Sequence, residues 1–428
     1  MARSGSGEAE SIADPRGGWR SQLAGEAGYP PEGQGHPDSG QPPVGRTGSL
    51  FGLPAIWLRY NCPCSQCRDP ATGERLVGIT SLPSDVSVAE AKRSGNVIEV
   101  VFGPDGHQAA FDAGWLGQFG TAEAGDGSAR PGPGTARPAW PPPGRDDSRT
   151  EDAKRLWAGA DIASSFPQGS WQLLQAEPAH RQACLEAVLR DGFVVLRDVP
   201  TEPGTLLTVA RRFGFVRETE RGPLVDVRVS ARPSSSTFTS QAVAPRTGMT
   251  FRDPVPTLQF THCLEQVADG GETVAVDGFH AAATLRAEHP RAFAVLAGTE
   301  VTFAYADAAS DLRATRPVIS VNSRGRVREI RLDAGLMQPL RMPPAEVVEF
   351  YDAYRAFAEL IVQPTQAATF QLRPGDCLVL DNTRILTGRT AFTSTTRRHM
   401  QLCWADLDGV TSALALLRRA RQNGHSRT

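Results

Sequence analysis

The sequence lacks an excess of charge of either sign: 45 Lys and Arg residues face 47 Asp and Glu, a net of −2 over 428 residues. No global field draws it to nucleic acid or an anionic bilayer, so the expected partner is a small molecule or another protein. It also lacks any run approaching the ~20 apolar residues that span a bilayer, and residues 1–46 hold no apolar signal-peptide core. Neither an internal repeat nor a Gly-rich nucleotide loop is found. Cysteine is scarce, with seven in the chain, too few for a disulfide scaffold. A protein of a reducing compartment, the cytoplasm, is the expectation.

What is present divides the chain. Its length exceeds one typical domain, which predicts a main domain with a smaller companion. Residues 1–46, rich in Gly, Pro, Ser and charge, read as a disordered leader. Residues 47–120 read as a small β-rich module, because VIEVVFGPDGHQAAF places two apolar runs on either side of a GPDG breaker. Residues 121–152 collapse to Ala, Gly, Pro and charge, which cannot offset ordering entropy by apolar burial, and read as a linker. Residues 153–422 form the main domain, and 423–428 a tail.

Within the main domain, AEPAHRQACLEAVLRDG repeats apolar residues at helical spacing and FVVLRDV follows as a strand. The same helix-then-strand reading applies to TLLTVARRFG. Further strand candidates are TLQFTHCL, ETVAVDGF, EVTFAYA, PVISVN, VREIRL, TFQLRPGDCLVLDN and HMQLCWADL, interrupted by the amphipathic helix PAEVVEFYDAYRAFAELI. Many short strands with few helices predict a mainly β, α+β fold of the jelly-roll type with helices at its flank.

Three of the seven cysteines, Cys62, Cys64 and Cys67, fall within six residues, and His107 lies forty residues on, in the predicted turn. Three thiolates and one imidazole suit a closed, tetrahedral structural zinc site. Reduced thiols without metal are the alternative.

The stretch WLRYNCPCSQC with GHQAAFDAGWL resembles the N-terminal zinc-binding domain of γ-butyrobetaine hydroxylases and trimethyllysine dioxygenases, in the TauD/TfdA superfamily of 2-oxoglutarate oxygenases. The likeness continues through RDPVPTLQFTHCLEQVADGGETVAVDGF, LRPGDCLVLDNTRILTGRTAF and RRHMQLCWADLDG. It implies zinc on Cys62, Cys64, Cys67 and His107, and a double-stranded β-helix. In the family that barrel surrounds ferrous iron, held by a His-x-Asp pair and a distal His.

With RDPVP and LQFTHC fixing the register, those iron positions fall on Arg246, Gly248 and Thr387. A guanidinium has no lone pair to donate, glycine has no side chain and a neutral hydroxyl is a poor iron ligand, so iron is not expected. His262, Asp253, Asp381 and His399 lie nearby in sequence but match positions occupied in relatives with an intact triad. They read as packing or strand-end hydrogen-bonding residues.

The resemblance assigns Arg398 and Thr273 to the clamp on the distal carboxylate of 2-oxoglutarate. It assigns Arg221, Val225, Phe238, Met249 and Trp404 to the pocket where relatives cage a trimethylammonium group by cation–π contact. Only two of those five are aromatic, so γ-butyrobetaine is not the expected substrate. Two functions follow as expectations. One is a non-catalytic descendant that binds a small anion and forms a homodimer or pairs with an active paralogue. The other is a metal-independent enzyme using Arg246 and Arg398 as anion anchors. An ordinary Fe(II) and 2-oxoglutarate hydroxylase is the third, and needs an iron site these residues do not supply.

Overall fold

The computed structural model describes residues 50–70, 72–120, 154–230, 233, 235–266, 269–393 and 397–425. The leader, the whole of the linker and the last residues of the tail lie outside these.

The N-terminal module begins with helix α1 (Ala55–Tyr60), followed by an antiparallel sheet of β1 (Ser87–Ser94), β2 (Val97–Gly103) and β3 (Gln108–Asp112), and ends in helix α2 (Ala113–Gly117). In β2 and β3 one face carries Ile98, Val100, Phe102, Ala109 and Phe111, all buried, while residues between them reach solvent. That two-residue alternation is what a half-covered sheet requires.

The main domain opens with helix α3 (Gly159–Ala163), β4 (Gln168–Ser170), α4 (Trp171–Ala176) and α5 (Pro178–Asp191). Pro178 begins α5, and Gly192 ends it with φ +87°, a left-handed turn that favours glycine. The chain turns into β5 (Phe193–Arg197), whose first four residues are all buried because the strand is covered on both faces. Then come α6 (Thr205–Ala210), β6 (Val225–Val227), β7 (Val243–Arg246), β8 (Leu258–Gln266) and β9 (Thr273–Asp277). Helices α7 (Gly278–Glu288) and α8 (Pro290–Gly298) follow. Two hairpins succeed them, β10 (Glu300–Ala306) with β11 (Asp311–Pro317) and β12 (Ile319–Val321) with β13 (Val327–Ile330). The long helix α9 (Pro344–Val362) precedes β14 (Ala367–Phe370), β15 (Cys377–Asp381), β16 (Ile385–Arg389), β17 (Arg398–Ala405) and helix α10 (Leu407–His425).

Two sheets make the barrel. One has the order β4-β5-β15-β8-β17-β6 and the other β14-β9-β16-β7. Between them lies a core that includes Phe193, Leu380, Ile385, Met400 and Trp404. The outer face of the larger sheet packs Val194, Leu196 and Phe260 against Leu185, Val188, Leu206 and Val410 of the helices. The smaller sheet backs onto α7–α9, where Phe350, Tyr354 and Phe357 share one core with Trp57 and Phe102 of the N-terminal module. Module and main domain thus share one hydrophobic core.

Three expectations are corrected. TLLTVARRFG contains the helix but no strand: residues 211–214 turn, because Arg211, Arg212 and Gly214 give no apolar alternation to pair. Helices are more numerous than read: α7 and α10 follow directly on strands whose apolar runs obscured them, and α8 follows α7. Helix α10 also runs past residue 422, the expected end of the domain.

Candidate functional site

A cavity of about 210 Å³ lies between the two sheets, and all ten main-domain residues that the resemblance placed at the site line it: Arg246, Gly248, Thr387, Arg398, Thr273, Arg221, Val225, Phe238, Met249 and Trp404. The topology explains the convergence. Inward-facing residues alternate along each strand, so β17 contributes Arg398, Met400, Leu402 and Trp404, β8 contributes Gln259 and Thr261, and β16 and β7 contribute Thr387 and Arg246.

Thr387 and Arg246 are direct cross-strand partners. Gly388, beside them, permits that pairing, because a Cβ there would lie 2.2 Å from the carbonyl oxygen of Val243. Past β7 the chain is pinned from both sides. The Thr247 hydroxyl donates to the Ile330 carbonyl (2.8 Å), and Asn382 accepts from Gly248 N–H (2.8 Å) and donates to its carbonyl (2.9 Å). Met249 then takes φ +56°, the left-handed region.

The charge at Arg246 is held by the protein itself. Its guanidinium lies 3.5 Å from the Asp333 carboxylate and donates to the Thr237 hydroxyl at 2.8 Å. Burial pushes the Asp333 carboxyl above its ordinary value even though Arg246 pulls the other way. At Gly248 the space a side chain would take is filled from across the barrel: a Cβ would lie 2.4 Å from Gln259 Oε1, which accepts from the Trp404 indole at 3.3 Å. Positions 246, 248 and 387 offer a metal a guanidinium, a bare backbone and a hydroxyl, with neither imidazole nor carboxylate among them, and the Asp333 carboxylate on the same wall pairs with Arg246. These residues do not fit an iron centre.

Arg398 sits at the other end. Its Nε is buried without a hydrogen-bond partner, and no carboxylate pairs with it among the described residues. Burial lowers its pKa. Arg389, also on the wall, is pushed down to about 10 by burial and by the nearby Arg398 and Arg246. Its donors go to the carbonyls of Ser236, Thr237, Thr239 and Gln241.

The cage region differs from the sequence reading. Phe251 and Tyr305 also line the cavity, so four aromatics are present where two were expected. Yet Arg221 lies over the rings of Phe238 (5.1 Å) and Tyr305 (5.4 Å), filling the cation–π position from within. Glu220, Asp333 and Glu74 complete the charged lining, and Glu74 comes from the N-terminal module, where its carboxylate accepts from Ser236 N–H at 2.8 Å. Tyr305, Asp333 and Glu74 lie outside the motifs that carry the resemblance, and Gln259 lies within one, LQFTHC, without having been assigned to the site. Only the fold brings them in.

The four other candidates lie away from the cavity wall. His262 faces the helix-covered side of β8, Asp253 pairs with Arg316 (2.6 Å), Asp381 accepts from the Thr383 hydroxyl (2.5 Å), and His399 pairs with Asp226 (2.6 Å).

A second site lies in the N-terminal module. His107 Nε2 is 3.3 Å from Cys62 Sγ and 3.6 Å from the sulfurs of both Cys64 and Cys67. Zinc–sulfur and zinc–nitrogen bonds of ordinary length, arranged tetrahedrally, place such atoms roughly 3.6 Å apart, so the donors fit zinc. Arg59 donates to Cys67 Sγ (3.2 Å) and pairs with Asp105, two residues before His107 (3.1 Å), bracing the cluster from outside. No helix among the described residues is long and apolar enough to cross a membrane.

Comparison with known proteins agrees with this architecture. Residues 156–404 match the family described as "Taurine catabolism dioxygenase TauD, TfdA family", and residues 46–117 match "Gamma-butyrobetaine hydroxylase-like, N-terminal". A gamma-butyrobetaine dioxygenase of Pseudomonas sp. (strain AK-1) is 35% identical over 365 residues, 85% of this chain and 90% of that protein. A trimethyllysine dioxygenase of Meyerozyma guilliermondii is 28% identical, over 86% and 90% respectively. The human gamma-butyrobetaine dioxygenase is 26% identical, over 87% and 92%. With a matched barrel, a matched N-terminal module and relatives aligned over nearly their whole length, this chain belongs to the TauD/TfdA dioxygenase family.

Proposed function

We propose that this protein is a degenerate γ-butyrobetaine-hydroxylase-like member of its family: a pseudoenzyme that has lost iron-dependent oxygenation and binds a small anion in the retained cavity. The observation that carries this reading is the wall formed by Arg246, Gly248 and Thr387, with Asp333 neutralising the arginine and Gln259 filling the space beside the glycine. A divalent cation placed there would be repelled by a guanidinium and would gain no anionic ligand from those three positions.

The relatives named above act on γ-butyrobetaine or trimethyllysine. Here Arg221 already occupies the aromatic surface, which disfavours a second cation. Arg398 and Thr273 remain to receive an anion. The alternative of a metal-independent enzyme needs Arg246 as a second anchor, and the pairing of Arg246 with Asp333 weighs against it.

The N-terminal cluster holds zinc as a structural staple, which requires reduced thiols and so favours a reducing compartment such as the cytoplasm. With its framework kept and its chemistry lost, the protein acts through binding, as a homodimer or paired with an active relative.

Turnover tests the reading: full-length protein with Fe(II), ascorbate, 2-oxoglutarate and γ-butyrobetaine or trimethyllysine is expected to release no succinate above a protein-free control. Succinate release that rises with enzyme concentration contradicts it.

A further inference from the structure

Four guanidinium groups line the cavity, Arg221, Arg246, Arg389 and Arg398, against three carboxylates, Glu74, Glu220 and Asp333. The excess is one positive charge. Arg246 is matched by Asp333 (3.5 Å); Arg221 lies 3.8 Å from Glu220, which Arg252 holds more closely at 2.5 Å, and donates to the Tyr305 hydroxyl (3.1 Å), while the Arg389 donors go to backbone carbonyls. Arg398 remains, with a buried Nε that no described residue satisfies. A buried cation without a counter-charge is costly, and a single anionic group seated on it would remove that cost.

The surface leading away from Arg398 is apolar. Along β17 the next inward residues are Met400 and Leu402, whose register partners on β6 are Val227 and Val225. The strip from Met400 to Trp404 extends for roughly 13 Å at strand rise. The cavity, about 210 Å³, falls below the roughly 300–1,000 Å³ of drug-sized pockets, which calls for a small ligand.

We infer that the cavity takes a short-chain amphipathic monocarboxylate, its carboxylate on Arg398 and its hydrocarbon chain on Met400, Leu402, Val225 and Val227. This rests on the anion-binding reading above and narrows it, since a dicarboxylate would press its second charge onto the apolar strip.

Calorimetric titration of the full-length protein, without added iron, with butyrate, pentanoate, hexanoate, glutarate and 2-oxoglutarate tests this. One saturable hexanoate site is expected, with affinity rising roughly fourfold per methylene from butyrate to hexanoate, as transfer of a CH₂ from water predicts. Arg398→Met is expected to weaken hexanoate at least tenfold, and Arg398→Lys to recover part of the loss. The chain-length series needs no variant, so it stands even if those substitutions disturb folding. Tighter binding of glutarate or 2-oxoglutarate than of hexanoate, or a flat chain-length series, overturns the monocarboxylate assignment and leaves the anion-binding reading standing. Absence of binding by every anion overturns both.

Discussion

His262 lies on β8 with its ring on the helix-covered side of the sheet, fully buried. Burial pushes its pKa down to about 4, below the ordinary value of about 6.5. The unfolded chain therefore binds a proton that the native state refuses. The stability tied to this group is fully present above about pH 6.5 and is lost as pH falls towards 4. Between pH 7 and pH 5 the loss from this one ring is about 2 kcal/mol. Denaturant titrations at both pH values should show His262→Leu losing less stability on acidification than the unaltered protein, by about that amount. Equal losses would place the acid sensitivity elsewhere. The same contrast between buried and compensated groups runs through the cavity: Arg246 has Asp333, while Arg398 has no carboxylate among the described residues.

Strands β7 and β16 decide whether Arg246 and Thr387 face one another. Gly388 allows the two backbones to approach, and any Cβ there would strike Val243 O, Ala244 C and Pro245 N. Gly388→Ala should cost about 1–3 kcal/mol, the usual scale of overpacking, read as a lower denaturant midpoint; an unchanged midpoint would show that the strands yield. These elements were legible to different degrees. Helix α5 and strand β5 could be read directly, since their periodicity and the glycine between them are local signals. Strand β1 (SVAEAKRS) could not, because only Ala91 in it is fully buried and the apolar pattern is too thin. Helix α7 was hidden behind ETVAVDGF, although Asp277 caps it through Phe279 N–H (3.0 Å) and His280 N–H (3.3 Å). The ten lining residues were found because collinear motifs fixed their register. Gln259, Asp333, Tyr305 and Glu74 escaped because their roles depend on contacts between distant segments.

The N-terminal module is joined to the barrel at several points. The Trp57 indole donates to the Leu340 carbonyl (3.1 Å), Arg355 donates to the Leu82 carbonyl (2.8 Å), and Arg75 donates to the Ala334 carbonyl, next to Asp333. Glu74 and Arg75 follow the cysteine knuckle closely, with Leu76 N–H returning to the Cys67 carbonyl at 2.9 Å. Zinc in that knuckle would therefore brace one wall of the cavity as well as the module. Chelation of zinc should lower the melting temperature by roughly 10 °C, the scale expected when a tightly bound stabilising ligand is withdrawn. Cys64→Ser should reproduce the shift without chelator, and an unchanged melting curve in both cases would separate the cluster from stability. The proposed loss of the iron site is tested most directly by elemental analysis of the purified protein after anaerobic Fe(II) loading and desalting. One zinc and less than a tenth of an equivalent of iron per chain is the predicted result. A full equivalent of retained iron, lost on Arg246→Ala or Thr387→Ala, would contradict it.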